Sequence, residues 1–305
     1  MESNVFSITV TYNPDIALLN RQIDSLCNQV SNIVIVDNGS LNAAGLKLYL
    51  ESKSIEIEKS FILIFNKKNA GLGYAQNQGL KAALNKEATD MLILDHDSVI
   101  DDGFVKNLLE SRRELIDNNI PVGAIGPIYY NENTMEVYPI TKFLGPFIKR
   151  LTPSKQPVEA SFLIASGCLI NASVLADVGL MNEDLFIDCI DVDWSFRAAS
   201  KGYKLFASPN AKMMHTIGDD RRNIIGRNIS VHSPLRRYYL YRNSVFMVKS
   251  NTIPMGYKIR EITFNLLRLL VFFTISKERT KYLKYSLYGF FDGLKGIGGE
   301  CQHRF

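Results

Sequence analysis

Short apolar runs without alternation punctuate the first hundred residues. They are 5–11 (VFSITVT), 33–37 (IVIVD), 61–65 (FILIF) and 91–94 (MLIL), each ending in polar turn residues. A run with no polar alternation suits a strand buried on both faces, as in a parallel sheet. Between the first two runs, 15–28 carries Ile16, Leu19, Ile23 and Leu26 at helical spacing, and 74–84 reads as a second helix. Strand–helix–strand alternation predicts an α/β domain. Ligands of such sheets bind outside the carboxyl ends of the strands. Here those ends are Thr11-Tyr12-Asn13-Pro14, Asp37-Asn38-Gly39-Ser40, the stretch 66–73, and Asp95-His96-Asp97-Ser98. One polar strand end is only a turn. Four in a row at one edge predict a site.

Beyond residue 129 the pattern weakens. Residues 129–157 hold Pro139, Pro146, Pro153 and Pro157, which predicts a long excursion over the site. An apolar run at 161–165, Ser166-Gly167, a second apolar stretch and a helical 174–178 follow. An acidic turn then opens a helix over 188–201, and the chain from Pro234 onward is mostly helical in period.

Composition adds a division. The 305 residues are 46% hydrophobic and 22% charged, which excludes a disordered, collagenous or wholly transmembrane chain. The net charge of +4 hides an acidic body, −8 over 1–220, and a basic region, +12 over 221–305. That split predicts two parts, 1–220 and 221–305. Residues 238–291 hold thirteen Tyr and Phe, which argues against a nucleic-acid arm. The longest strongly apolar stretch, 264–275, is interrupted by Arg268 and is shorter than the roughly twenty residues of a membrane span. The four cysteines form no C-x-x-C pair and the first residues lack signal-peptide order, so a cytoplasmic protein with reduced thiols is expected.

Five groups could carry chemistry. Asp95 and Asp97 flank His96 at a strand end, and two close carboxylates favour an oxygen-loving Mg²⁺ or Mn²⁺ together with substrate phosphates. The glycines of 69–79 (NAGLGYAQNQG) suit a close approach of backbone to a ligand and also the tight packing of a helix start on the sheet, two compatible readings. That segment matches neither the dinucleotide fingerprint nor a P-loop. Asp37 at a strand end suits an N–H of a pyrimidine ring. Asp188, Asp191 and Asp193, beside Trp194, exceed what helix capping needs, and one of them could act as a general base. His215 is a plausible third protein ligand for a metal at Asp95 and Asp97.

In this order the groups strongly resemble the inverting GT-A glycosyltransferases of family 2, and within it bacterial rhamnosyltransferases. The matching residues are VTYNP (10–14), VDNGS (36–40), the 69–79 motif, LDHDS (94–98), SGCLI (166–170), FIDCIDVDWSFRA (186–198), His215 and RRYYLYRN (236–243). The resemblance implies a GT-A fold: a Rossmann-like nucleotide-binding mixed sheet with flanking helices, plus a C-terminal helical region. It implies that Thr11, Tyr12 and Asp37 hold the base, and that Asn69, Gly71 and Asn77 line the nucleotide-sugar pocket. Asp95 and Asp97 would bind diphosphate and a Mg²⁺ or Mn²⁺ completed by His215. Asp191 would be the general base, with Trp194 and Asp193 on the acceptor side. The implied reaction moves L-rhamnose from dTDP-L-rhamnose to a lipid-linked glycan of a cell-surface polysaccharide such as O-antigen. The expected partners are the donor, the acceptor and an anionic membrane surface at the inner face of the cell membrane, with no nucleic acid and a homo-oligomer left open. The alternatives are another UDP- or dTDP-sugar, or a catalytically silent sugar-nucleotide-binding module.

Overall fold

The computed structural model describes residues 3–131, 135–152, 155–214, 221–224, 227–230, 233–275 and 278–303. The elements begin with β1 (Val5–Thr11), α1 (Ile16–Leu26), β2 (Asn32–Asp37), α2 (Ala43–Glu56), β3 (Phe61–Phe65), α3 (Leu72–Leu84), β4 (Asp90–Asp95), β5 (Val99–Ile100) and α4 (Phe104–Asp117). Then come β6 (Val122–Tyr130), β7 (Ile140–Leu144), β8 (Phe147–Leu151), β9 (Val158–Ala160), β10 (Cys168–Asn171), α5 (Ala172–Val178) and, after a 3₁₀ turn at Glu183–Leu185, α6 (Ile190–Ser200). The chain continues as β11 (Lys204–Met214), β12 (Arg221–Ile224), β13 (Arg227–Ser230), α7 (Pro234–Lys249), α8 (Met255–Ile275) and α9 (Arg279–Lys295).

The main sheet runs β3-β2-β1-β4-β10-β6-β11-β5, with β9 added beside β11. The first four strands are mutually parallel. β10 runs antiparallel to both β4 and β6. The sheet is therefore mixed, as the resemblance implies. Its parallel half brings the four polar strand ends to one edge.

Both faces of this sheet are covered, which is why its strands read as unbroken apolar runs. On one face Ile8, Val34 and Val36 pack with Leu80 of α3, Val174 of α5 and Trp194 of α6. On the other, Val5, Ile33 and Ile35 pack with Leu19, Ile23 and Leu26 of α1, Leu46 and Leu50 of α2, and Phe104 of α4. Burying one such aliphatic or aromatic side chain contributes about 1.5–3 kcal/mol. Helix starts carry their own signals. Asp15 accepts from the Ala17 and Leu18 N–H groups, Asn42 from Gly45, and Asn171 from Ser173. Ser233 caps α7, with Pro234 at its first position.

Two segments of the weakly patterned stretch take a definite form. The excursion at 129–157 contains a β7–β8 hairpin, and a Cβ on Gly256 of α8 would meet the Gly145 backbone at its tip. The apolar 161–165 run is not a strand, and β10 starts only after Gly167, whose φ is 81°.

Candidate functional site

At the ends of β1 and β2 a closed set of hydrogen bonds fixes two loops. The Thr11 hydroxyl donates to Asp37 Oδ1 at 3.0 Å, and the Asn38 N–H donates to the Thr11 carbonyl at 2.8 Å. Asp37 also accepts from the Ser40 N–H at 3.0 Å and from the Ser40 hydroxyl. Thr11 and Asp37 are fully buried, whereas Tyr12 beside them is 48% exposed. Asn38 joins this loop to the next strand end. Its Nδ2 donates to Asn69 Oδ1 (3.0 Å) and to the Gly71 carbonyl (3.2 Å). Its Oδ1 accepts from Asn66 Nδ2 and from the Ala70 N–H, both at 3.1 Å.

The turn after β4 is held from beneath. The buried Gln22 of α1 accepts from the Thr9 hydroxyl at 3.0 Å and donates Nε2 to the carbonyls of Asp95 and Ser98. The Ser166 hydroxyl accepts the Asp95 N–H at 3.1 Å and bonds the Ser98 hydroxyl at 2.6 Å. Backbone and small side chains thus lock the turn and leave Asp95 half-buried and Asp97 exposed.

Opposite this turn lies the segment that opens α6. Asp191 sits in the first turn of α6 and accepts its neighbour Val192 N–H at 2.8 Å. Burial pushes its carboxyl from 3.8 up to about 6, with the charges of Asp95 and Asp188 adding to the rise and the Val192 N–H opposing it. The Tyr129 hydroxyl is raised by burial first, and also by both Asp95 and Asp191. The fold therefore brings the charges of Asp95 and Asp191, 96 positions apart in sequence, within reach of each other. The segment abuts α3 as well. The Leu72 N–H donates to the Phe186 carbonyl at 2.6 Å. A Cβ at Gly71, whose φ is 97°, would meet Phe186 Cδ2 at 2.8 Å.

The placement of the expected site residues is uneven. Asp95, Asp97, Asp191, Thr11, Tyr12, Asp37 and Asn69 lie at or next to the strand-end edge. Gly71 and Gly73 make room for residues 182–186, so their freedom serves packing. Asn77 turns away from the edge. It is 2% exposed, donates Nδ2 to the Met181 carbonyl (2.9 Å) and Glu183 Oε1 (2.7 Å), and accepts the Met181 N–H. Trp194 is 2% exposed and packs under the sheet, its indole N–H donating to the Gly179 carbonyl at 2.9 Å. Asp193 is buried and accepts from Arg197 Nε at 2.8 Å. Both residues point to helix-to-body packing and not to an acceptor surface, because their places on α6 face inward. His215 lies outside the described residues.

The donor set at the edge fits a hard divalent cation. Two carboxylates leave one turn, and the charge of Asp95 already raises Asp191, a repulsion that a cation there would relieve. Among the described residues no group of three or more His, Cys, Asp and Glu side chains is arranged to hold an ion.

The sequence reading missed Gln22 and Asn38, whose only signal is a polar residue on an otherwise apolar helix face or in a turn. It grouped Arg236, Arg242 and Asn243 in a motif without giving them a role. All three reach the segment before α6.

The glycosyl transferase family 2 model matches residues 7–179. The chain is 32% identical to dTDP-rhamnosyl transferase RfbF of Shigella flexneri, over 99% of each protein. Among solved structures it is similar to GalNAc-T7 with UDP, GalNAc and Mn²⁺ at a TM-score of 0.60 and 17% identity, covering 97% of this chain and 56% of that one. It is also similar to residues 1–349 of S. aureus TarS in complex with UDP-GlcNAc at a TM-score of 0.56 and 14% identity, covering 96% and 81%. Those two likenesses carry the fold alone.

Proposed function

Because the chain belongs to glycosyl transferase family 2 and is a glycosyltransferase, we propose that it moves L-rhamnose from dTDP-L-rhamnose to a hydroxyl of a glycan acceptor with inversion. The convergence of Asp191 and Asp95 at the strand-end edge carries this reading. The full-length similarity to a dTDP-rhamnosyl transferase supports the donor.

The chain's own groups divide the work. Thr11 and Asp37 shape the base end, and exposed Tyr12 offers it a ring face. Asn69 and Gly71 form the adjoining wall of the sugar-nucleotide site, braced by Asn38. A Mg²⁺ or Mn²⁺ held by Asp95 and Asp97, with His215 as a third ligand, would supply positive charge to the leaving diphosphate. Asp191 accepts the proton of the acceptor hydroxyl. That oxygen forms its bond to the anomeric carbon as the bond to the diphosphate breaks on the opposite face. No covalent nucleophile is needed. An elevated carboxyl is suited to this role, since it is basic enough to take the proton yet ionised at neutral pH.

The acceptor is proposed to be lipid-linked, with the enzyme lying on an anionic membrane surface at the inner face of the cell membrane. Among the described residues no helix is long and apolar enough to cross a membrane. Helix α8, however, is amphipathic the wrong way round for a helix facing water. Its outward side carries Met255, Ile259, Ile262, Leu266 and Leu270, each 47–67% exposed, while Tyr257 and Asn265 face inward. Lys258, Arg260 and Arg268 flank the stripe. Such a face suits the headgroup boundary of a bilayer.

A donor screen with purified protein tests the reaction. Nucleoside-diphosphate release is expected from dTDP-L-rhamnose well above UDP-sugars, lost in EDTA and restored by Mg²⁺ or Mn²⁺. Preference for a UDP-sugar would overturn the donor assignment, and full turnover in chelator would overturn the cation.

A further inference from the structure

Three residues in the four before α6, Phe186, Asp188 and Cys189, hold positive φ (61°, 64° and 63°), and none is glycine. Backbone of this kind persists only where its surroundings over-determine it. Here those surroundings come from α7, 48 to 58 residues further along the chain. Asn243 Nδ2 lies within hydrogen-bond reach of three carbonyls: Leu185 (2.9 Å), Ile187 (2.7 Å) and Asp188 (3.1 Å). Arg242 donates Nη2 to the Asp184 and Leu185 carbonyls, both at 2.9 Å, and Nε to Asn243 Oδ1 at 3.1 Å, which sets the way that amide points. Arg236 grips the Asp188 carboxylate with two donors, at 2.9 and 3.1 Å. The Tyr239 ring stacks on Phe186 with centroids 4.9 Å apart and planes at 8°.

Simple packing of a helix on a domain would be met by apolar side chains. These contacts instead pair polar side chains with the carbonyls of a non-repetitive segment, which no regular ladder of strand or helix satisfies in full. Arg242 and Asn243 are themselves wholly buried in doing so. The segment leads directly to Asp191: Cys189 is the N-cap of α6, and Asp191 is its second residue. Arg236 also neutralises Asp188, a like charge close to Asp191.

We propose that Arg236, Arg242 and Asn243 are positioning residues for the transfer reaction, holding the left-handed 186–189 segment that aims Asp191 without touching the substrate. This rests on Asp191 as the general base. The preferred variant is Arg236→Gln, because Arg236 is half-buried at the start of α7 and its loss leaves the Ser233 cap in place. It should lower kcat roughly tenfold or more, as small misplacements of a reacting group do, with KM for the donor within about twofold. Amide hydrogen exchange should rise at 185–190 and stay unchanged in β1–β4. Arg236→Lys, which keeps the charge, should recover part of kcat. A folded Arg236→Gln protein with parental kcat, or one that loses kcat with no change in exchange at 185–190, overturns the proposal. Asp191→Asn run beside it separates the two readings. If that variant stays active, the base assignment fails, while the exchange data still report whether α7 holds the segment.

Discussion

Asp191 is held by two opposing demands. Desolvation and the charges of Asp95 and Asp188 favour its neutral form, and the start of α6 and the Val192 N–H favour its anion. The outcome, about 6 against an ordinary 3.8, has a sign that can be checked twice. In catalysis the base must be ionised, so kcat should fall as pH drops through a limb no higher than about 6, since a cation on Asp95 lowers it further. In stability the folded protein holds a proton that the unfolded chain has lost, so stability declines as pH rises from about 4 to about 6. Asp191→Asn removes that burial cost. It should reduce transfer by about 10²–10⁴-fold, leave dTDP binding by calorimetry unchanged, and raise Tm by a few degrees at pH 8. Loss of dTDP binding would mean that Asp191 serves the donor and not the acceptor.

At the scale of elements, the loops at the site are held by contacts from several parts of the chain. Gln22 of α1 carries the β4 turn, Asn38 ties the β2 end to the start of α3, and α7 braces the start of α6. Helix α3 must lie close to β1, since a Cβ on Gly79 would meet Ile8 Cγ2 at 2.5 Å. The packing reading of the 69–79 glycines thus holds at Gly71, Gly73 and Gly79. Helix α8 works differently, because its outward stripe of large apolar side chains is exposed. Leu266→Glu with Leu270→Glu, both at exposed positions, should abolish flotation with anionic liposomes at low salt. Donor hydrolysis in solution should stay within about twofold, as surface changes rarely disturb a fold. Flotation unchanged by the pair would remove α8 as the membrane face.

For the whole molecule, described residues on the two sides of the charge division near residue 221 pack against each other. Tyr238, Arg242 and Asn243 of the basic region are fully buried, in contact with residues of the acidic body. The far end of the chain returns too: the Gly299 N–H donates to the Asp184 carbonyl, and Lys68 pairs with Glu300 at 3.1 Å. We propose that 1–220 and 221–305 are one cooperative unit. A chain ending at residue 232 should then lack transferase activity and show exposed apolar surface by dye binding. A fully active truncated protein would show that the catalytic part stands alone.

Local order was legible wherever its cause was local. Apolar runs of four to seven residues specified β1–β4, the helical periods of 15–28 and of the chain from Pro234 gave α1 and α7, and the acids at strand ends marked the edge where the site is proposed, because strand burial, helical period and charge are properties of neighbouring residues. The roles of Asn77, Trp194, Asn38 and Arg242 were not legible. A polar or aromatic side chain looks the same in sequence whether it faces a ligand or satisfies a distant carbonyl. Only the tertiary structure, by closing contacts across tens of residues, decided which groups were already occupied in holding the site and which were left to act in it.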